Sequence, residues 1–395
     1  MKGKRKLTLR GAVWGGLLAT PVLIVAVVAT IGVAVAPAGP SSPAARAASA
    51  DLDAVSQAAP QTVAQTEAYW TPARIAQAAP YPMPNQPGAN ASTPEGTLIP
   101  MAEATGTPGT SPGALPNGTA LGATAPDTSQ TPQTTPYHEF IPYTRWSLVG
   151  RYTKFPNSAI LKMFFSQDID GNGTSDGNFV CSASSMGPDE AWTAGHCVSN
   201  NLGTGVNNGY STNVMVCPSF DIIVDVTIGC WGADELWTLA AWRAGGGGNV
   251  DMGAIDTSNT GTIVPSTIGT VTGYLGFAWN QLRNQHWVAM GYPAGSPFAG
   301  DKIIMAASAY GYDDNWAPDA VQGVAMGSNL TGGSSGGPWI ISYGLVGQVA
   351  GGGNNLINGH NDWKWNTEPE AMVSPYFDCR AVVVFNSVRD PDVTC

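Results

Sequence analysis

Short runs of β-branched and aromatic residues dominate the chain from about Trp146 onward, and Gly, Asn, Asp and Pro separate them. Runs of this length, bounded by turn formers, are typical of β-strands rather than helices. The pattern predicts an all-β domain over residues 146–395, built as a sandwich, a barrel or two barrels side by side. The runs that we interpret as strands are Ala159–Phe165, Phe179–Ser184, Ile222–Ile228, Trp287–Gly291, Ile303–Ala307, Leu345–Ala350 and Ala381–Phe385.

Residues 1–50 carry the pattern of an export signal or a membrane anchor. Basic residues cluster between Lys2 and Arg10, and Gly11–Ala36 then contains no charge. A run of that length can cross a bilayer, but the small-residue sites Ala34–Ala36 and Ala48–Ala50 suit a signal peptidase. We therefore favour cleavage and a secreted protein, with membrane attachment only if the segment is retained.

The net charge of the mature chain limits its partners. The whole sequence has 17 basic and 28 acidic residues, and loss of residues 1–50 would remove six basic residues and no acidic one. The formal charge would fall from −11 to −17. Because such a surface repels phosphate groups, we expect neither nucleic acid nor anionic membrane as a partner.

Residues 51–145 have a different composition. They are mostly Ala, Pro, Thr, Gly and Gln, hold 15 of the 30 prolines and contain no cysteine. Such a stretch buries too little apolar surface to offset its chain entropy. We predict a disordered Pro/Ala/Thr-rich pro-segment or linker, with one short helix near Thr62–Ala68.

All of the cysteines lie after residue 180, and their number is even. In an exported chain they should be oxidised and paired. None forms a CxxC motif and only His196 lies beside a cysteine, so we expect no metal and no cofactor. The six are Cys181, Cys197, Cys217, Cys230, Cys379 and Cys395.

A general base must be sought among four histidines. These are His138, His196, His286 and His360. Only His196, in the sequence TAGHC, has an informative context; we interpret the others as linker, surface or core-edge residues. Imidazole titrates near neutrality, as a base for a serine hydroxyl must, and it needs a carboxylate on its other nitrogen. Asp251 in VDMGAI is our candidate for that carboxylate, with Asp256 as its rival.

The stretch Gly332–Pro338 contains two adjacent serines, Ser334 and Ser335. Its glycines would let backbone amides converge on one point, as an oxyanion hole requires, and would let a substrate approach a hydroxyl. The geometry favours Ser335, which Gly-Gly-Pro follows. An exposed Gly/Ser loop is the alternative for both serines.

These three motifs, TAGHC, VDMGAI and GSSGGP in the order His, Asp, Ser, resemble the trypsin/chymotrypsin family of serine endopeptidases. GYP at Gly291–Pro293 and the absence of an Asp before Ser335 are more similar to its bacterial glutamyl-endopeptidase-like branch. The resemblance covers roughly residues 150–395. It implies a polypeptide substrate and two packed antiparallel β-barrels, over about 146–265 and about 266–395.

The resemblance also implies a role for each matching residue. His196 would be the general base, Asp251 its orienting carboxylate and Ser335 the nucleophile, with the amides of Gly333 and Ser335 as the oxyanion hole. Cys181 would pair with Cys197, as two cysteines do in the family. For the remaining four cysteines we expect Cys217–Cys230 and Cys379–Cys395.

The sequence departs from the family in its activation and pocket residues. Ser334 replaces the Asp that binds the new N-terminal amine in many animal relatives, so activation must use another device, such as loss of the Pro-rich segment. Asn329 stands six residues before Ser335, where an Asp would select Arg or Lys. Val349 stands where glutamyl-specific relatives tend to have His; with Gly351 it completes our predicted substrate pocket. We expect no preference for basic residues.

Other functions fit the sequence less well. Gly333–Gly337 also matches the G-x-S-x-G elbow of α/β-hydrolases, but no acidic residue lies between Ser335 and His360, and no lysine follows the glycines as a phosphate loop needs. Asp168–Asp176 resembles the start of a calcium loop but has Phe179 at the twelfth position, which favours a hairpin turn. Trp363–Trp365 could contact a substrate or glycan, but packing against the second barrel is the simpler role.

The sequence therefore predicts a secreted, monomeric serine endopeptidase that acts through a Ser-His-Asp triad and an acyl-enzyme. A non-catalytic secreted or cell-surface binding protein on the same fold is the alternative. The presence of all three motifs favours the enzyme.

Overall fold

The structure of the chain is a computed structural model. It describes residues 53–86, 98–100, 106–118, 121, 134–136, 141–148, 152–225, 227–314, 322–344, 354–366, 368–389 and 392–395. Within these residues the strands are β1 (Ala54–Ala58), β2 (Ala79–Pro80), β3 (Asn85–Gln86), β4 (Leu98–Pro100), β5 (Gly109–Ser111), β6 (Thr134–Pro136), β7 (Tyr143–Ser147), β8 (Ile160–Gln167), β9 (Gly177–Ser185), β10 (Glu190–Thr193), β11 (Thr212–Pro218), β12 (Trp231–Leu239), β13 (Gly253–Thr257), β14 (Gly276–Trp279), β15 (His286–Gly291), β16 (Ile304–Asp314), β17 (Gly323–Gly327), β18 (Pro338–Ile341), β19 (Leu356–His360), β20 (Lys364–Trp365) and β21 (Ala371–Ser374).

Helices are few and mostly short. The α-helices in the described residues are α1 (Val63–Tyr69), α2 (Pro72–Gln77), α3 (Gly195–Val198), α4 (Ala240–Arg243), α5 (Ile268–Thr272) and α6 (Cys379–Val388). Single 3₁₀ turns occur at Asn157–Ala159, Val206–Gly209 and Gly248–Val250. The predicted all-β class is confirmed.

The first half of the domain is a closed barrel of six strands. Its strands pair in the order β8, β9, β10, β13, β12 and β11, and β11 returns to β8. All eight residues of β8 are buried, because alternate side chains enter different cores. Leu161 and Phe165 point into the barrel interior, whereas Ile160 and Phe164 pack in the larger core that includes residues of the second sheet.

The second half is a nine-stranded sheet. Its order is β21, β17, β16, β15, β18, β19, β14 and β5, with β7 also paired to β16. Most pairs are antiparallel, but β14 and β19 run parallel. No ladder between described residues closes this sheet into a second barrel. Helix α6 packs against β12, β13 and β14, so it bridges the two halves.

Residues 53–86 are folded, contrary to the disorder predicted for residues 51–145. Strand β1 pairs antiparallel with β12, and β2 pairs parallel with β9. The predicted helix near Thr62 is confirmed as α1, where Thr62 and Gln65 form a capping box. Composition does not predict this order, because the strands of the segment form only by pairing with β12 and β9. Trp70, for example, is 5% exposed and packs against Phe164.

The boundary predicted at residue 146 is also too late. Strand β5 pairs with β14 and strand β7 pairs with β16, so residues 109–111 and 143–147 belong to the second sheet. Short strands in a Pro-rich stretch give little periodic signal, and only their partners identify them.

Four of the seven predicted strands are confirmed, as β8, β9, β15 and β16. The strand predicted at Ile222–Ile228 is wrong, because its described residues form a loop. Ala381–Phe385 is also wrong, because it lies within α6, whose N-terminus Asp378 caps by accepting a hydrogen bond from the Arg380 amide. The valine-rich run thus forms a helix under tertiary constraint. Leu345–Ala350 lies outside the described residues.

All six cysteines form disulfides, in the three pairs expected from the sequence. They are Cys181–Cys197, Cys217–Cys230 and Cys379–Cys395. No helix in the described ranges has the length and apolar character needed to span a membrane. The signal or anchor predicted over residues 1–50 lies outside those ranges.

Candidate active site

His196 and Asp251 are held together by two hydrogen bonds. The Asp251 Oδ1 atom accepts from the backbone N–H of His196 at 2.6 Å, and Oδ2 lies 2.7 Å from His196 Nδ1. One carboxylate thus fixes both the helix α3 and the imidazole ring. Gly195 allows this approach, because a Cβ there would lie 2.8 Å from Asp251 Oδ1. The rival carboxylate, Asp256, lies on β13 opposite Glu190.

The electrostatics of His196 favour its protonated form. Burial alone lowers the pKa of the imidazole, but the carboxylates of Asp251 and Asp362 outweigh burial and raise this pKa to about 10. The other ring nitrogen, Nε2, is buried and has no hydrogen-bond partner among the described residues. Nε2 can accept a proton from a hydroxyl only after the imidazolium has lost its own proton.

Ser335 lies in a tight buried turn between the two halves. Ser334 donates its amide to Thr331 O at 3.0 Å, and Gly337 donates its amide to Ser334 O at 2.9 Å. Ser334 and Ser335 are both fully buried, so the alternative of an exposed loop is wrong. Ser335 Oγ, like His196 Nε2, has no hydrogen-bond partner within the described residues.

The serine turn is bonded to β9 and contacts the histidine helix. Ser335 O accepts from the Ser182 amide at 2.8 Å, and Cys197 Sγ lies 3.8 Å from the same oxygen. Since Cys197 follows His196 and is bonded to Cys181 on β9, the disulfide fixes the histidine turn against the serine turn.

The amides of Gly333 and Ser335 remain open. Neither donates a backbone hydrogen bond within the described residues. Gly333 has φ of +91°, and a Cβ there would lie 2.9 Å from Tyr292 O, so only glycine fits. The Ser182 hydroxyl donates to Gly333 O at 2.9 Å and accepts from the Tyr292 amide at 2.8 Å. Two convergent amides positioned in this way could bind an oxyanion.

Two buried residues beside His196, Asp362 and His360, were not predicted from the sequence as part of the site. Asp362 Oδ1 lies 3.4 Å from His196 Nδ1. His360, which we interpreted as a surface or core-edge residue, is fully buried and accepts a hydrogen bond from Trp192 Nε1 at 3.1 Å. Burial lowers the pKa of His360 to about 3, so its ring is neutral. No local motif marks either residue, because each meets His196 only through the fold.

The predicted substrate pocket is described in part. Asn329 is half-buried, and its Oδ1 has no partner among the described residues; Val349 and Gly351 lie outside them. A cavity of about 250 Å³ lies between residues 80–83 and a wall formed by Thr331, Gly332, Lys364 and Pro369. Lys364 Nζ donates to Ser328 O at 2.8 Å, and burial lowers its pKa to about 7.

Residues 79–86, called the cleft strap below, lie across this site. The Tyr81 amide donates to Val180 O at 3.0 Å, and the Lys364 amide donates to Pro84 O at 3.1 Å. The Tyr81 ring stacks on His196 with 5.2 Å between ring centroids. Gly332 lets the strap approach, since a Cβ there would lie 2.7 Å from Tyr81 O.

The other candidate sites have structural roles in the described residues. Asp168 accepts the amides of Asn172, Gly173 and Val206, and its loop joins the antiparallel strands β8 and β9 as a hairpin connection. Asp168, Asp170 and Asp176 nevertheless lie close enough to share a cation. Trp363 and Trp365 are buried and both donate to Asp314.

Comparisons with known proteins place this geometry in context. No protein-family model and no curated protein matches the chain. The thermostable serine protease AL20 from an extremophilic microorganism is 30% identical, with a TM-score of 0.48, over 58% of this chain and 96% of that one. The protease Anisep from Arthrobacter nicotinovorans is 26% identical, with a TM-score of 0.50, over 62% and 99%. A Glu endopeptidase is 19% identical, with a TM-score of 0.43, over 62% and 95%.

At 30% identity the chain covers 96% of a serine protease, and at 26% identity it covers 99% of a second protease. The chain therefore belongs to the trypsin/chymotrypsin-like family of serine proteases.

Proposed function

We propose that the protein is a secreted serine endopeptidase that hydrolyses polypeptides through Ser335, His196 and Asp251. Ser335 attacks the peptide carbonyl, His196 takes the hydroxyl proton, and the amides of Gly333 and Ser335 bind the oxyanion. His196 then protonates the leaving amine, and water hydrolyses the acyl-enzyme. The enzyme acts as a monomer without a cofactor.

The observation that carries this proposal is the double hydrogen bond between Asp251 and His196. It fixes the ring so that, in the neutral imidazole, Nδ1 would donate to Asp251 and Nε2 would act as the base. The serine turn is bonded to β9 through the Ser182 amide, and the Cys181–Cys197 disulfide links β9 to the histidine helix. The turn carries a hydroxyl that has no hydrogen-bond partner among the described residues. The three disulfides support an oxidising destination outside the cell.

We further infer that the enzyme is made as a zymogen. The cleft strap covers His196, and Tyr81 on it is 5% exposed. A polypeptide substrate could not reach a site covered in this way. Activation would therefore require the strap to leave, after cleavage of the chain between the strap and the protease domain.

Fluorophosphonate labelling tests the proposed activity. The mature secreted protein is compared with Ser335→Ala and with Ser334→Ala, and the labelled peptide is mapped by mass spectrometry. Ser334→Ala is the matched control, since its hydroxyl already donates to Thr331 O at 2.8 Å. We expect labelling at Ser335 in the wild type and the control but not in Ser335→Ala. Peptide hydrolysis should fall at least about 10⁴-fold in Ser335→Ala alone.

Absence of labelling in folded, processed protein would contradict the enzyme and favour a secreted binding protein on the same fold. Labelling at Ser334 would show that we chose the wrong serine.

A further inference from the structure

Asp362 is a buried carboxyl group without a hydrogen bond. It is fully buried, and neither of its oxygens has a partner among the described residues. Burial of an unpaired acid costs free energy unless the neighbouring groups stabilise one of its charge states. The groups around Asp362 therefore determine which of its charge states is stable.

Two imidazoles and one carboxylate surround Asp362. Its Oδ1 lies 3.4 Å from His196 Nδ1, and its Oδ2 lies 3.8 Å from His360 Nε2. Trp192 donates to His360 Nδ1, so the proton of neutral His360 lies on Nε2 and faces Asp362. Asp251 belongs to the same cluster, in which ligand atoms of His196, Asp251 and Asp362 lie within 4.8 Å of one another.

The charges of this cluster are linked. Burial, and then the negative charge of Asp251, raise the pKa of Asp362, whereas protonated His196 lowers it and favours the carboxylate. Asp251 and Asp362 together raise the pKa of His196 to about 10 against the effect of burial. Two acids and His196 therefore share protons, and an ionised Asp362 places a second negative charge beside the imidazolium.

We propose that Asp362 is a positioning residue of the catalytic site, whose carboxylate stabilises the protonated form of His196 together with Asp251. The consequence for catalysis rests on the proposed function. His196 can accept the Ser335 proton only after it has lost its own. The acidic limb of the activity profile should then lie at a higher pH in the wild type than in a variant that lacks the Asp362 carboxylate.

The test is the pH profile of kcat/KM for the mature enzyme, Asp362→Asn and Asp362→Ser. Removal of an opposite charge at this distance should move the acidic limb down by about one to three pH units in both variants. The matched control is Asp234→Asn, which removes an exposed carboxylate on β12. Its limb should stay at the wild-type value. An unmoved limb in Asp362→Asn would overturn the proposal, and so would loss of activity at every pH in a folded variant.

A second readout does not need activity. The chain has four histidines, so NMR titration of labelled imidazoles, assigned by single-histidine variants, follows His196 directly. The pKa of His196 should fall in Asp362→Asn, while His360 should not titrate in the neutral range. If Ser335 proves unreactive but His196 shifts in this way, the proposed function fails and the role of Asp362 stands. If His196 titrates identically in both proteins, Asp362 has no such role.

We draw a second inference from the direction in which the cleft strap crosses the site. Strand β2 runs parallel to β9 at one end of the cleft, and strand β3 runs parallel to β20 at the other. The strap therefore contacts Val180 first and Lys364 last.

A substrate must run the other way. His196 gives its proton to the leaving nitrogen, so the departing half of a substrate lies beside His196. The disulfide between Cys181 and Cys197 joins Val180 to that side. The acyl half then lies toward Gly332 and β20. Because a substrate is cleaved with its N-terminal half as the acyl group, its chain runs from β20 to Val180, opposite to the strap.

The strap also presents no bond for attack. Neither oxyanion amide, Gly333 or Ser335, donates a backbone hydrogen bond to it. Prolines at 80, 82 and 84 remove alternate amide hydrogens from the segment. We infer that residues 79–86 inhibit the protease as a reverse-direction strap that the enzyme cannot cleave while bound. This inference deepens the proposed zymogen.

Labelling of the unprocessed secreted chain tests the strap. Tyr81→Ala should react with a fluorophosphonate at Ser335 at least about tenfold faster than the wild type, because it loses a buried ring packed on His196. Gln77→Ala, an exposed change just before the strap, is the matched control and should react at the wild-type rate. Equal rates for Tyr81→Ala and the wild type would overturn the inhibitory role.

Two further measurements separate this inference from the proposed activity. Hydrogen exchange at the Lys364 amide should be slow in the wild type and faster in Tyr81→Ala, whether or not Ser335 reacts. A synthetic peptide with the sequence of residues 79–86 should inhibit the mature enzyme and stay intact, whereas the peptide with the reversed sequence should inhibit less. Cleavage of the first peptide at the rate of ordinary substrates would refute the reverse direction.

Discussion

The ring of Tyr81 lies stacked on the ring of His196, with 5.2 Å between centroids and 25° between planes. The Tyr81 hydroxyl donates to Gln167 Oε1 at 2.6 Å, and Gln167 Nε2 donates to His196 O at 3.1 Å. One residue of the N-terminal segment is thus joined to both the ring and the backbone of the proposed base. The strength of this contact should set how readily the site opens.

Tyr81→Phe tests the hydroxyl part of that contact. The ring remains, but the bond to Gln167 is lost, and such a bond contributes about 0.5–1.5 kcal/mol. We expect Ser335 in the unprocessed chain to react with a fluorophosphonate about two- to tenfold faster. Tyr152→Phe, which removes a hydroxyl bond to Asp221 outside the strap, is the control. An identical rate in Tyr81→Phe and the wild type would show that the hydroxyl does not hold the strap.

Asp251→Asn tests the orientation of His196. An amide can keep one of the two contacts, but it does not stabilise the imidazolium as a carboxylate does, and its N–H would face Nδ1 where an acceptor is needed. We expect kcat of the mature enzyme to fall about 10⁴-fold with the fold intact. Asp256→Asn, on the following strand, should stay within about threefold of the wild type. A comparable loss in Asp256→Asn would mean that we have assigned the wrong carboxylate.

Local motifs could be predicted from the sequence, and long-range contacts could not. His196, Asp251 and Ser335 each lie in a short distinctive stretch, so a shared site was predicted from their order, and His196 and Asp251 lie within hydrogen-bond distance of each other. Asp362 lies far from His196 along the chain and has no motif of its own. The strap was missed for a related reason: its strands form only on the edges of β9 and β20, which composition does not reveal.

Lys162 should make stability depend on pH. It is 6% exposed, its Nζ donates to Gly300 O at 2.7 Å, and burial lowers its pKa to about 7 from 10.5. Unfolding then takes up a proton between these two values, so the folded state gains stability as pH rises from about 7 to 10.5. In a Ser335→Ala background, the free energy of unfolding measured with urea should increase across this pH range for the protein with Lys162, relative to Lys162→Met. Lys302→Met, at a partly exposed ion pair, should show no such trend; the same trend in both variants would exclude Lys162 as its source.

Ser182 should act on catalysis through the oxyanion hole. Its hydroxyl donates to Gly333 O and accepts from the Tyr292 amide. Ser182→Ala removes both hydrogen bonds, so the buried Tyr292 amide loses this partner. Gly333, whose own amide should bind the oxyanion, is then no longer held in place. We expect kcat to fall by about 10- to 100-fold with KM nearly unchanged, because the lost interaction serves the transition state. Ser184→Ala is a matched control on the same face of β9, since the Ser184 hydroxyl is buried and has no partner among the described residues. It should leave kcat unchanged. Equal losses in both variants would assign the effect to the strand as a whole, and a rise in KM alone would place Ser182 in substrate binding.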